Sequence, residues 1–114
     1  MSSTEDVLTR YREATAELDP HAAAEQHAED AVVISRGEIY RGREEIKRHY
    51  EELFEWMAGV DGSIERHQEI IEGDLVHVVW SFDAEEFVWN YAVDTFVIQD
   101  GQIVGHTVAV DAEE

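Results

Sequence analysis

The stretch DTFVIQDGQIVGHTV, Asp94 to Val108, has two apolar, β-branched arms around a turn signal, with an acid at its start and a histidine near its end. Its fold-defining feature is a hairpin that Gln99-Asp100-Gly101 can close in two ways. A three-residue loop with Gly101 in the left-handed position pairs Ile98 with Gln102. Asp94 then stands opposite His106, with β-carbons about 5 Å apart. A two-residue Asp100-Gly101 turn instead pairs Asp94 with Thr107 and sends His106 to the other face. The three-residue loop is the preferred expectation.

The preceding arm, LVHVVWSF from Leu75, extends the sheet. With Ala84-Glu85-Glu86 as its loop, Asp83 pairs with Phe87, Trp80 opposes Asn90, Val78 opposes Ala92 and Val76 opposes Asp94. The Asp94 face then carries Val76, Val78, Trp80, Phe82 and Phe96, with Asn90, Asp94 and His106 as polar groups. A mostly apolar surface with a few convergent polar groups is the composition of a small-molecule pocket. A chemically idle cross-strand Asp–His pair near a sheet end is the alternative left open.

Working toward the N-terminus, Ser2 to Leu18 reads as a helix with Ser2 or Ser3 as cap and Val7, Leu8, Tyr11, Ala14 and Leu18 on its apolar stripe. Asp19-Pro20 starts a short second helix through HAAAEQHA. AVVIS from Ala31 reads as a strand, and RGEIYRG as a turn with a strand extension. Gly42 precedes a third helix, REEIKRHYEELFEWM, whose buried face is Ile46, Tyr50, Leu53, Phe54 and Met57. Trp56 and Met57 at its end are placed to cap a cavity mouth or simply to pack. SIERHQEII, LVHVVWSF, FVWNYAVDTFVI and QIVGHTVAV follow as strands with short separators. Helices followed by a strand meander indicate an α+β fold, with three N-terminal helices on a curved, mainly antiparallel sheet of four or five strands. Residues 87–98 have no solvent face: Phe87, Trp89, Tyr91, Val93 and Val97 lie on one parity and Val88, Ala92, Phe96 and Ile98 on the other. Three helices cover one side of such a sheet, so the other is expected to meet a second copy.

The chain has 114 residues, which fits one domain over 1–114. Asp and Glu total 27 against 8 Lys and Arg, a formal charge of −19, and Lys47 is the single lysine. Such a surface repels phosphate backbones and argues against nucleic-acid and anionic-membrane partners. It also suggests a protein adapted to high salt, as in halophiles, with a merely acidic protein as the alternative. There is no apolar run long enough to span a bilayer and no signal-peptide pattern, so the cytoplasm is the default compartment. Cysteine is absent. The six histidines, at 21, 27, 49, 67, 77 and 106, form no helical metal-binding pair. No metal is therefore expected, although His67 and His77 sit on neighbouring strands.

With these elements placed, the chain resembles the NTF2-like superfamily, in particular its SnoaL-like and ketosteroid isomerase-like members. LTRYREA, AEDAVVIS, YRGREEIKRHYEELF and VDTFVIQDGQIVGHTVAVD carry the likeness. The resemblance implies a curved sheet around a cone-shaped cavity, often dimeric through its convex side. The family hosts isomerases, cyclases, dehydratases and non-enzymatic modules, so the fold does not name the reaction. The isomerase pattern places the oxyanion-hole tyrosine at Tyr11 and the oxyanion-hole aspartic acid at Asp94. The base position falls on Ser35, whose hydroxyl cannot take an α-proton without its own activating base. His106, on the last strand, is the replacement expected from another wall. An ionised Asp94 would orient His106; a neutral one would join Tyr11 in donating to a carbonyl oxygen becoming an enolate.

The expected catalytic set is therefore Tyr11, Asp94 and His106, with Ser35, Trp80, Phe82, Asn90 and Phe96 contacting the ligand. Each has a plainer reading as core, interface or strand-end residue. The expected chemistry is cofactor-free proton transfer on a small hydrophobic carbonyl compound, in a homodimer. A ligand-binding or assembly module, or a small subunit packed on a larger partner, are the alternatives.

Overall fold

Ser3 opens the first helix. Its hydroxyl accepts from the Asp6 amide while the Asp6 carboxylate accepts from the Ser3 amide, a reciprocal capping box. The computed structural model describes residues 3–85 and 88–113, so Ser2, Glu86 and Phe87, all named above, lie outside the described residues. Helix α1 (Thr4–Ala16) buries Val7, Leu8 and Ala14. Helix α2 (Pro20–Glu25) starts where the Asp19 carboxylate accepts from the Ala22 amide, and it is shorter than expected because His27 already belongs to a strand.

Strands β1 (His27–Ser35) and β2 (Glu38–Arg41) form a hairpin through Arg36-Gly37, with φ of 55° and 86°. Helix α3 (Gly42–Ala58) buries Ile46, Tyr50 and Phe54, with Leu53 and Met57 partly buried beside them. Strands β3 (Gly62–Glu72), β4 (Leu75–Ala84), β5 (Val88–Gln99) and β6 (Gln102–Glu113) complete one six-stranded sheet in the order β2-β1-β6-β5-β4-β3. It has six strands rather than the four or five expected, because β2 is a true strand and pairs with β1 along its length. Only β1 and β6 run parallel. The sheet is curved and unclosed, an α+β cone with its helices on the concave side.

The registers correct two expectations. The β5–β6 hairpin closes with the two-residue turn: Gln99 pairs with Gln102, and Asp100 and Gly101 have φ of 53° and 75°. Both central residues are left-handed, as a type I′ turn requires, and aspartate tolerates that conformation well enough for the tighter turn to prevail. His106 nevertheless stays on the Asp94 face. Ile98 pairs with Ile103 but Val97 pairs with Gly105, so Val104 is an extra residue that restores the parity. His106 then opposes Phe96, and Asp94 opposes Val108.

The β4–β5 hairpin closes between Asp83 and Val88, not Asp83 and Phe87. That is a shift of one residue, and the irregularity between Trp80 and Phe82 adds a second, so Trp80 opposes Ala92, Val78 opposes Asp94 and Val76 opposes Phe96. This displacement of two residues keeps the same side chains on the same face. A second bulge, at Asn90, does not: Trp89 and Tyr91 pair with the adjacent residues Ala112 and Asp111. Trp89 swings to the concave side, and Asn90 is expelled.

Two buried clusters fill the concave side. One joins Val7 and Leu8 to Val76, Phe96, Ile98 and Ile103. The other joins α2 and α3 to Ala31 and Val33 of β1. Ile34, Ile70, Leu75 and Tyr91 are exposed and alternate with inward residues along their strands, which puts them on the convex face. No described helix is long and apolar enough to cross a membrane.

Candidate functional site

The cone encloses a cavity of about 450 Å³ between the helices and the concave face of the sheet. Its floor is polar: Tyr11 from α1, Tyr50 from α3, Asp94 from β5 and His106 from β6. Its walls are aromatic, and Trp56, Trp80 and Trp89, all three tryptophans of the chain, line it with Phe82. Trp56 stacks on Trp89 with centroids 5.6 Å apart and planes 17° apart. Arg36, Glu38 and Glu52 stand at the exposed rim.

On the floor, the Tyr11 and Tyr50 hydroxyls are 3.0 Å apart and share a hydrogen bond. Burial is the main reason that both phenols are held well above their usual range, and the nearby Asp94 carboxyl adds to it. Both therefore remain protonated donors at neutral pH. His106 Nε2 lies 3.6 Å from Asp94 Oδ2, an ion-pair distance beyond an ordinary hydrogen bond. Phe96 stacks on the His106 ring at 4.0 Å and 15°. Both His106 ring nitrogens are closed off from the surface and have no hydrogen-bond partner among the described residues. Behind the floor, His27 is fully buried, and its Nδ1 lies 2.9 Å from the Ala23 carbonyl. Burial is the main cause that pushes it down to about 3, so its ring is neutral.

The residues singled out from sequence divide into two groups. Tyr11, Asp94, His106, Ser35, Trp80 and Phe82 all reach the cavity. Phe96 lies beneath the floor, against His106 and the edge of Tyr11, and does not line the cavity. Asn90 is exposed on its bulge and donates to the Asp111 carboxylate at 3.3 Å. Trp89 occupies the wall position expected of Asn90, because an extra residue in one strand inverts the alternation beyond it.

Tyr50 and His49 were absent from the expected site. The helical spacing of Tyr50 marks only a buried helix face; its hydroxyl on an apolar stripe is the available signal, since a buried phenol needs a partner. His49 lines the cavity, held between Tyr40 at 4.4 Å and Tyr50 at 5.0 Å. His67 instead sits on a bulge of β3 and bonds Ser81 Oγ at 2.7 Å. Among the described residues no group of three or more His, Cys, Asp or Glu could hold a metal ion.

Solved structures share this architecture. An NTF2-like protein of unknown function from Cytophaga hutchinsonii matches with a TM-score of 0.76 at 16% identity, covering 97% of this chain and 92% of its own. A candidate polyketide cyclase from Sinorhizobium meliloti matches with a TM-score of 0.74 at 22% identity, covering 91% of this chain and 94% of its own. A candidate ketosteroid isomerase from Kribbella flavida matches with a TM-score of 0.75 at 15% identity, covering 95% and 77%. At these identities the likeness shows the fold alone. No curated protein matches the sequence. The SnoaL-like domain family matches residues 8–106, from within α1 to within β6. By that match and by its cone architecture, the chain belongs to the SnoaL-like domain family of the NTF2-like superfamily.

Proposed function

We propose that the cavity takes a small, hydrophobic carbonyl compound and catalyses proton transfer on it without a cofactor, as an isomerase, cyclase or dehydratase would. One observation carries this reading: a pair of hydrogen-bonded phenols and a carboxyl converge on the floor of an otherwise aromatic cavity. Tyr11 donates to the carbonyl oxygen and stabilises the negative charge that grows there on enolisation. Asp94 joins it as a second donor when protonated, or orients His106 when ionised. The names of the Sinorhizobium and Kribbella structures support the same class of chemistry. Ser35, Trp80 and Phe82 shape the ligand site in this reading. Two copies of the chain pair through the convex face, which explains the exposed apolar side chains there.

The alternative is a binding module without turnover. It is favoured by the closed-off nitrogens of His106, which leave that ring unable to meet a substrate proton as it stands.

4-Nitrophenol, an apolar ring bearing a phenolate oxygen, tests the oxygen-binding floor. Because every tryptophan lines the cavity, binding is read as saturable quenching of tryptophan emission in molar KCl. Tyr11→Phe and Asp94→Asn are expected to weaken binding about tenfold. Absence of saturable quenching, or equal binding by both variants, overturns the reading.

A further inference from the structure

We infer that His49, on α3, is the base that accepts the substrate proton in this cavity. The inference rests on the proton-transfer reading above and assigns the role that Ser35 cannot fill.

Three imidazoles approach the cavity, and their nitrogens differ in access. Both nitrogens of His106 and Nε2 of His27 are closed off. His27 Nδ1 is already spent on the Ala23 carbonyl. His49 is only partly buried, its nitrogens are not among the closed-off atoms, and it makes no hydrogen bond or ion pair among the described residues. It is thus the imidazole that lines the cavity with an uncommitted, reachable lone pair.

Its setting suits the role. Tyr40 and Tyr50 flank the ring and fix its plane. Burial first, and then the neighbouring His106, hold His49 down to about 4, so it is a free base at neutral pH. Tyr50, the next residue, bonds the Tyr11 hydroxyl, so base and oxygen-binding pair are joined through adjacent residues of α3. A carbonyl substrate with its oxygen on Tyr11 would give an α-proton to His49. The C–H electron pair moves into the enolate, and His49 returns the proton at another carbon. No redox partner is needed.

The carboxylates that reach the cavity rim are Glu38 on β2 and Glu52 on α3; both belong to exposed residues. They are the competing bases, and the test separates them.

5-Nitrobenzisoxazole is the probe. A base removes its C3 proton, the electron pair forms the nitrile, the N–O bond breaks, and the coloured phenolate oxygen is left for Tyr11 to bind. His49→Gln is expected to lower kcat/KM about 100-fold. Glu38→Gln and Glu52→Gln are expected to keep it within about fivefold, a loss too small for removal of the base itself. Carbethoxylation of the wild-type protein with diethylpyrocarbonate, mapped by peptide mass, provides a readout that does not depend on a variant folding. Loss of turnover should follow modification of His49. Turnover retained in a natively melting His49→Gln protein, lost in Glu38→Gln or Glu52→Gln, or indifferent to His49 modification, overturns this assignment alone. A wild-type protein that does not turn over the probe overturns both the assignment and the proton-transfer reading.

Discussion

The Tyr11 hydroxyl, on the first helix, lies 3.0 Å from the Tyr50 hydroxyl, on the third. This contact joins two helices across the cavity floor and keeps both phenols satisfied where little water reaches them. Tyr11→Phe and Tyr50→Phe are each expected to cost about 1–2 kcal/mol, since each strands the other hydroxyl. The double variant should cost less than the sum, because neither phenol is then left unpaired. Urea unfolding of the four proteins checks this; additive losses would show that the hydroxyls do not depend on one another.

Acid should destabilise the protein through His27. Its folded value of about 3 lies below the ordinary 6.5, so across that window the unfolded chain binds more protons than the folded one. Stability from this group is therefore present above 6.5 and is lost as pH falls toward 3. The slope is up to about 1.4 kcal/mol per pH unit. His27→Gln should flatten the fall in the urea midpoint between neutral and mildly acidic buffer. Parallel curves for the two proteins would refute the attribution.

Two glycines on the sheet should respond in opposite ways. A Cβ on Gly62 would meet the Phe82 ring at 2.5 Å and Ala84 Cβ at 3.0 Å. Gly62→Ala is expected to cost about 1–3 kcal/mol and to disturb the Phe82 wall of the cavity. A Cβ on Gly105 would meet nothing within 4 Å, and its φ is not left-handed. Gly105→Ala should be neutral or stabilising by up to about 1 kcal/mol. Thermal melts rank the two, and equal effects would contradict the packing seen here.

A charge of −19 on 114 residues repels itself at low ionic strength. Raising KCl from about 0.05 M to 1 M shortens the screening length from roughly 14 Å to 3 Å. The melting temperature should rise by several degrees over that range. A flat or falling Tm would remove the case for adaptation to high salt.

Pairing through the convex face has a direct check. Sedimentation equilibrium in molar KCl should give twice the chain mass. Ile70 and Tyr91 are 51% and 49% exposed on that face, and the double change Ile70→Glu with Tyr91→Glu should yield the monomer with the cavity intact. A wild-type monomer would dismiss the pairing.

The alternating and helical periods, the Asp19-Pro20 start and the Asp100-Gly101 turn signal were enough to establish an α+β fold; its cone shape was what the family resemblance implied. Each depends on neighbours close in the chain. They also placed Asp94, Trp80 and Phe82 on one face, and the family resemblance placed Tyr11 and Ser35 at the same cavity. Face membership survives a register shift of two residues, and β4 against β5 moved by that amount. Single extra residues were another matter. Val104 brings His106 back to the Asp94 face after a turn that would have removed it, and Asn90 leaves the wall to Trp89. A bulge is set by what the strand must pair with on both sides, so Val104 and Asn90 carry no local mark. Nor could spacing along the chain reveal that His106 turns its nitrogens inward while His49, on a helix, leaves its own within reach. Those differences come from packing among α1, α3 and the concave sheet, where burial decides which polar atoms remain open to a ligand.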